Sequence, residues 1–416
     1  MPDVTSEIGR AERIKTPSSE REGGARTNGP WPSWPVFADD ERAAVDRVLA
    51  SGKVNYWTGD ECRQFELGFA RHARVRHAIA LANGTVAMEL ALKCWGVGAG
   101  DDVIVTPRSF IASSSAAVLR GARPVFADVD LESQNITAET IEAAITPRTK
   151  AIIAVHLAGW PCDMDAIIRL AEGRRLLVLE DCAQALGAAY RESPVGTFGH
   201  AGAFSFCQDK IITTGGEGGM LVTNDPQLWA AAWSYKDHGK SWTAMQHKPT
   251  EGGFRWVHDG FGTNWRMTEI QAVIGRAQLG KLEGWVQARG RNAGVLAERL
   301  GDLPLLRIPR PPQHVSHAWY RFYVFVRPEE LRAGWTRDRL LAEILRTGVP
   351  CFTGSCPEIY LEKAFDGTGW RPDRSLPNAR MLGETSLAFL VHPTLTSNDM
   401  HRICDIVIPL IRQAAR

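Results

Sequence analysis

Between Ala78 and Asp181, short apolar runs alternate with helix-like segments: "AIALA", "TVAMELALKCW", "DVIVT", "SFIASSSAAVLR", "RPVFADV", "AETIEAAI", "KAIIAVH", "DAIIRLAE" and "RLLVLED". The strand-like runs are apolar at successive positions, the pattern of strands covered on both faces. Alternation with helices then dictates an α/β chain with a mostly parallel central sheet wrapped on either side. Open sheets of this kind bind ligands beyond the carboxyl ends of their strands. Chemistry is therefore sought just after each apolar run.

The rhythm changes after the long helical pattern "TNWRMTEIQAVIGRAQLGKLEGWVQARGRNAGVLAERLG", which gives way to Pro-rich "LPLLRIPRPPQ". A strand "YRFYVFV", a helix "RDRLLAEILRTG", a strand "SLAFLVHP" and a terminal helix follow. Three segments are expected: a tail over 1–35, a large α/β domain over 36–285 and a smaller α+β domain over 286–416. Residues 1–30 have too few large apolar groups to offset the entropy of ordering. The segment after them, "WPSWPVF", carries Trp31 and Trp34, which are expected to dock on the folded body.

Acidic and basic residues nearly cancel, 47 against 48, so no net field favours nucleic acid or a membrane surface. A small-molecule partner is expected. No run is apolar for long enough to span a bilayer and no secretory leader is apparent, so the expectation is a soluble, cytoplasmic protein. The eight cysteines are scattered without CxxC pairs, predicting free thiols and no metal site. Cys351 and Cys356 alone make a poor zinc pair.

Four strand ends carry suggestive groups. At Asn83-Gly84-Thr85 a strand gives way to a helix, where exposed amides and a hydroxyl favour phosphate; a plain N-cap fits the same residues. In "RLLVLEDCAQALG" the two-residue period puts Asp181 and Glu180 on opposite faces. Asp181 fits a carboxylate that grips a protonated heterocyclic nitrogen, but with Gln184 three residues on it also fits an acidic version of the capping box, which this segment alone favours. Phe110, at the start of a helical segment, fits either a ring stacked on a cofactor or a core aromatic. Finally "FSFCQDKIITTGGEGG" places Lys210 five residues after Ser205 and before glycines that let backbone approach a ligand. A lysine whose pKa is lowered by burial forms a Schiff base with aldehydes, whereas most lysines are simply exposed.

Taken in order, "NGTVAMELAL", "TPRSFIAS", "GARPVFADVD", "LEDCAQALGA", "FSFCQDKIITTGGEGGMLVTND" and "TNWRMTEIQAVIGRAQL" resemble the DegT-type sugar aminotransferases, a branch of the fold type I pyridoxal-phosphate enzymes. The resemblance runs over about residues 36–416. It implies that Lys210 is the Schiff-base lysine and proton shuttle, Asp181 the partner of the pyridine nitrogen, Gln184 a contact to the ring hydroxyl and Phe110 the stacking ring. Gly84, Thr85 and Ser205 would cradle the phosphate, joined across a homodimer interface by Asn264 of the partner subunit. Arg266 and His317 would approach the sugar nucleotide or the amino donor. The implied reaction passes an amino group from an amino acid, glutamate by analogy, to a nucleotide-linked keto sugar.

Some residues depart from the family pattern: Cys207 stands where many relatives have histidine, and "TTGGEGG" has an extra glycine. The segments "HKPTEGGFRWVHDG" and "FTGSCPEIY" look particular to this chain and are expected near the substrate entrance. Among rivals, the related sugar dehydratases have histidine at the lysine position, so Lys210 argues against them. No GxGxxG follows an early strand, and "SYKDHGKSW" lacks the first glycine of a P-loop, which excludes nicotinamide and P-loop nucleotide readings. A non-catalytic sensor on the same fold would tolerate loss of Lys210 or Asp181, and both are present.

Overall fold

The apolar runs form the strands that the pattern dictates. In the computed structural model, which describes residues 31–246 and 254–416, these are β1 His77–Leu81, β2 Asp102–Val105, β3 Arg123–Phe126, β4 Thr149–Val155 and β5 Leu177–Asp181. Short β6 Ala189–Tyr190 and β7 Ser193–Pro194 follow, then β8 Ala201–Ser205 and β9 Gly219–Thr223. The tail expected over residues 1–30 and positions 247–253 of the proposed entrance segment lie outside the described residues.

Seven strands form the main sheet in the order β1-β9-β8-β5-β4-β2-β3. Neighbours from β8 to β3 pair in parallel, while β9 runs antiparallel to both β1 and β8. The sheet is thus mostly parallel, with one reversed strand, "GMLVT", that the alternation of strand and helix does not announce. Its five residues are fully buried, so it too is apolar on both faces.

Helices cover this sheet. Helix α1 Asp39–Ser51 and α2 Glu61–Ala73 pack on the helix Glu269–Leu279, and α3 Gly84–Cys94 crosses β8 and β9. The long helical pattern is two helices, Glu269–Leu279 and Leu282–Leu300, separated at Gly280-Lys281. Glycine is a poor helix former, and Lys281 pairs at the break with Asp40 (2.8 Å) and Glu41 (2.9 Å) of α1. Position 286 falls inside the second helix. No described helix is long and apolar enough to cross a membrane.

Downstream lie β10 Leu306–Arg307, β11 Val315–Ser316, β12 Phe322–Val326, β13 Cys351–Phe352 and β14 Ser386–Phe389. Four of them make a second, antiparallel sheet in the order β10-β12-β14-β13, and β11 pairs with β6. The strands "YRFYVFV" and "SLAFLVHP" and both predicted helices are present, the latter as Arg337–Arg346 and Ser397–Ala414.

The two carboxylates at the end of β5 go separate ways, as the two-residue period requires. Glu180 is fully buried and accepts the amides of Gly196, Phe198 and Gly199, each at 2.7 Å. His156 Nδ1 accepts the Cys162 amide, so its Nε2 carries the proton and donates to Glu180 at 3.0 Å. With every partner a donor, Glu180 holds the turn behind the sheet. Charged hydrogen bonds contribute roughly 1.5–3 kcal/mol, so Glu180→Gln is expected to cost about 3 kcal/mol in a denaturant titration with the cavity chemistry intact.

The expected docking of the segment before α1 is seen at Trp34. Its indole N–H donates to the Lys210 carbonyl at 2.9 Å, and its ring meets Trp285 edge-on at 5.0 Å. The Arg289 guanidinium covers it at 5.3 Å. The lysine loop is thereby held at its backbone by a residue far away in sequence.

Candidate active site

The carboxyl ends of β1, β2, β5 and β8 open into a cavity of about 810 Å³. Gly84, Thr85, Phe110, Asp181, Gln184, Ser205 and Lys210 all line it. Seven residues spread over 127 positions of sequence therefore meet in one place, because the sheet brings their strand ends to one edge.

Asn83 caps α3, its Oδ1 accepting the Val86 amide at 3.0 Å, so the N-cap account holds for that residue. The amides of Gly84 and Thr85, at the first two helical positions, have no acceptor within the helix and remain for an anion. Close packing makes this cradle: a Cβ on Gly84 would lie 2.8 Å from Ser205 Cβ, and one on Gly219 only 2.3 Å from the Asn83 carbonyl. Register explains the second contact, since Gly219 sits opposite both Leu81 and Ser205. Gly219→Ala is expected to push α3 off the strands and weaken cofactor binding about tenfold, the scale of overpacking at 1–3 kcal/mol. Absorbance titration of apoprotein with cofactor reads this.

Asp181 is 5% exposed. Its Oδ2 accepts from the Ser113 hydroxyl at 2.8 Å and its Oδ1 from the Ala183 amide at 3.1 Å. No helix follows β5, so the capping-box account is overturned: the carboxylate turns to the amide two residues on, and Gln184 Oε1 instead accepts the Ala158 amide at 2.8 Å. The Gln184 amide N–H groups are left to donate. Burial raises the Asp181 pKa, although Ser113, Ala183 and the charge of Lys210 pull the other way. A buried carboxylate in that state gains most from a cation placed against it.

Lys210 is largely enclosed, its side chain 18% exposed, with Nζ 3.3 Å from Asp209 Oδ1 and 3.4 Å from the Tyr320 hydroxyl. Tyr320 in turn donates a hydrogen bond to Asp209. Burial lowers the amine's pKa, but Tyr320 and Asp209 outweigh it and leave it raised. The expectation of a depressed lysine is thus corrected for the chain by itself: an acidic pair stores the proton on this amine. Phe110, 70% exposed, stands at the cavity wall rather than in the core.

Asn264, Arg266 and His317 do not line this cavity. Asn264 is exposed and bridges the backbone of Asp237, whose carboxylate receives Arg266 Nη1 at 2.8 Å. His317 stacks on Trp319 at 4.0 Å and accepts its amide, and burial lowers its pKa to about 3, so its imidazole is neutral. Cys356 lines the cavity while Cys351 is buried in β13; the grouping of ligand-type side chains among the described residues is elsewhere, His156, Glu180 and Cys182. Its glutamate is already saturated with donors.

Sequence reasoning missed Tyr320, Asp209, Ser113 and Arg321. Asp209 was adjacent to the lysine and Ser113 lies within "SFIASS", so both had a local signal. Tyr320 and Arg321 had none, because they precede a strand instead of following one.

A buried carboxylate, an enclosed amine and an amide cradle at one sheet edge suit pyridoxal phosphate by charge and by donor type, and with this fold they define a fold type I pyridoxal-phosphate-dependent aminotransferase. Residues 35–408 match the DegT/DnrJ/EryC1/StrS aminotransferase family model, and the chain belongs to that family. An aminotransferase crystal structure from Psychrobacter cryohalolentis superposes with a TM-score of 0.91 at 52% identity, covering 92% of this chain and 100% of that one. GDP-perosamine synthase of Escherichia coli O157:H7 is 34% identical over 373 residues, 90% of this chain and 96% of that protein. The spore coat polysaccharide biosynthesis protein SpsC of Bacillus subtilis strain 168 is 33% identical over 387 residues, covering 92% and 97%.

Proposed function

We propose that this aminotransferase moves an amino group from an amino acid, glutamate in the first instance, to a nucleotide-linked keto sugar in the cytoplasm, for amino sugars of a surface polysaccharide such as lipopolysaccharide or of a glycosylated metabolite. One observation carries the reading: Lys210 and Asp181 face a single cavity whose remaining walls offer an anion cradle. The likeness to GDP-perosamine synthase and SpsC supports the sugar and polysaccharide part.

The cofactor, when bound, supplies an electron sink for the charge left on a carbon that loses its proton beside nitrogen. Asp181 keeps the sink effective by holding a proton on the ring nitrogen. Lys210 takes the proton from the carbon and returns it, assisted by the Tyr320–Asp209 pair that already shares its charge. Gly84, Thr85 and Ser205 hold the phosphate end, Gln184 a ring hydroxyl and Phe110 a ring face, so orientation survives when one amine replaces another. The exchange runs in two halves, amino donor first and keto sugar second.

Three assigned residues stand outside the cavity of one chain, which fits a homodimer with shared sites: the partner subunit's Asn264 reaches the phosphate. Arg266 and His317 serve the substrate side in this reading. The second sheet supports treating residues 286–416 as a smaller domain beside the larger one over 36–285.

A panel of nucleotide-linked keto sugars, incubated with glutamate and holoenzyme and followed by product mass, tests the proposal. A mass shift of ketone to amine is expected for at least one sugar, and sedimentation is expected to give a dimer. Amination of simple keto acids with no sugar accepted would overturn the substrate assignment.

A further inference from the structure

Among the described residues of one chain, the cationic side chains on the cavity wall that an anionic amino acid could meet are Lys210 and Arg321. Four carboxylates, Glu89, Asp181, Asp209 and Glu217, line the same space. Glu89 is neutralised by Arg120 at 3.0 Å and Asp209 is paired with Lys210 at 3.3 Å, which leaves Asp181 and Glu217 to repel a second negative charge.

Arg321 lies immediately before β12, with its side chain 25% exposed. Its guanidinium stands 4.7 Å over the Tyr320 ring and 5.9 Å from that of Phe352, so aromatic faces steady the plane and leave the donor edge open. Its nearest anionic atom, Asp209 Oδ2, is 3.7 Å away, beyond hydrogen-bond length, and already accepts from Tyr320. Among the described residues the guanidinium donates no side-chain hydrogen bond within 3.5 Å. Five donors in a rigid fork are thus left over in a cavity otherwise rich in carboxylates.

We infer that Arg321 is the binding group for a carboxylate of the amino-acid donor. The inference rests on the proposed function and adds the donor's recognition to it. Position favours a small amino acid: Arg321 and Lys210 flank the same Asp209 carboxylate, so a donor whose amine reaches the place of the lysine amine spans only a few bonds to the guanidinium. Shape agrees, because the planar fork matches a carboxylate with two parallel hydrogen bonds, which a lysine cannot do. The diphosphate of a nucleotide-linked sugar lies across a whole sugar ring from the ketone and fits this place less well.

Arg321→Gln and Arg321→Lys are compared with the wild type as holoenzymes of matched thermal stability. Calorimetric binding of glutarate, an unreactive dicarboxylate, is expected to weaken at least tenfold in Arg321→Gln and by a smaller factor in Arg321→Lys. The glutamate half-reaction, read by the cofactor's absorbance, should show the same loss, with affinity for UDP and GDP unchanged within twofold. Equal glutarate affinity in wild type and Arg321→Gln, no glutarate binding by the wild type, or a loss that falls on UDP and GDP instead would overturn the inference. A wild type that no amino acid converts would sink the proposed function, an outcome distinct from a working wild type matched by its variants.

Discussion

Replacing Lys210 with alanine is expected to leave a folded protein that binds pyridoxal phosphate without covalent attachment and turns over about ten-thousandfold more slowly, the upper range of a positioned acid–base group. The amine has two tasks and no understudy. Among the described residues it is the one amine lining the cavity, and its neighbours Tyr320 and Asp209 can hold a proton but cannot attack an aldehyde. Folding should survive, because the side chain is anchored by a 3.3 Å ion pair to a half-exposed Asp209 rather than by core packing. The check is borohydride treatment followed by intact mass: the wild type gains the mass of the reduced cofactor on Lys210, and Lys210→Ala does not. Covalent attachment at another lysine, or a kcat within tenfold of wild type, would defeat the assignment.

The places of Lys210 and Asp181 near the active edge were legible because one follows and the other ends an apolar run, and the runs end together in space, while the roles expected of them came from the family resemblance. The same rule concealed β9, since a reversed strand brings its first residue to the active edge, so Gly219 shapes the cradle from the start of its strand instead of from the end of one. Tyr320 and Arg321 were hidden for a related reason. They touch the lysine loop across 110 positions, from the start of a strand in a different sheet, and no local pattern encodes such a meeting. The Asp181-Gln184 spacing misled because a capping box and an isolated turn begin with the same side chain accepting a nearby amide; only the absence of a following helix separates them. Asn264 and Arg266 carried a clear motif, yet within one chain they face Asp237 and not the cavity.

Asp181→Asn is expected to separate what the fold wants from what the reaction needs. Burial raises the folded-state pKa of this carboxyl, so the folded apoprotein holds its proton more tightly than the unfolded chain does. The sign follows: this group contributes stability below the ordinary carboxylate range, and that contribution is lost as pH rises through the elevated folded value. Asparagine is nearly the same size, can still accept the Ala183 amide, and carries no charge to bury. Apo Asp181→Asn should therefore melt at or above the wild-type temperature at neutral pH, with a flatter dependence of Tm on pH above the carboxylate range. The holoenzyme should behave oppositely, since a neutral amide cannot hold the ring nitrogen's proton by charge, and kcat is expected to fall at least about a hundredfold, the scale of losing one preorganised electrostatic partner. Adding cofactor would then raise the wild-type Tm by more than it raises the variant's, because only the wild type gains a cation against a buried anion. Thermal scans of both proteins with and without cofactor between pH 5 and pH 8, together with steady-state kinetics, read every arm; equal cofactor-induced shifts with unchanged kcat would show that Asp181 is a structural carboxylate and that the ring nitrogen is held elsewhere.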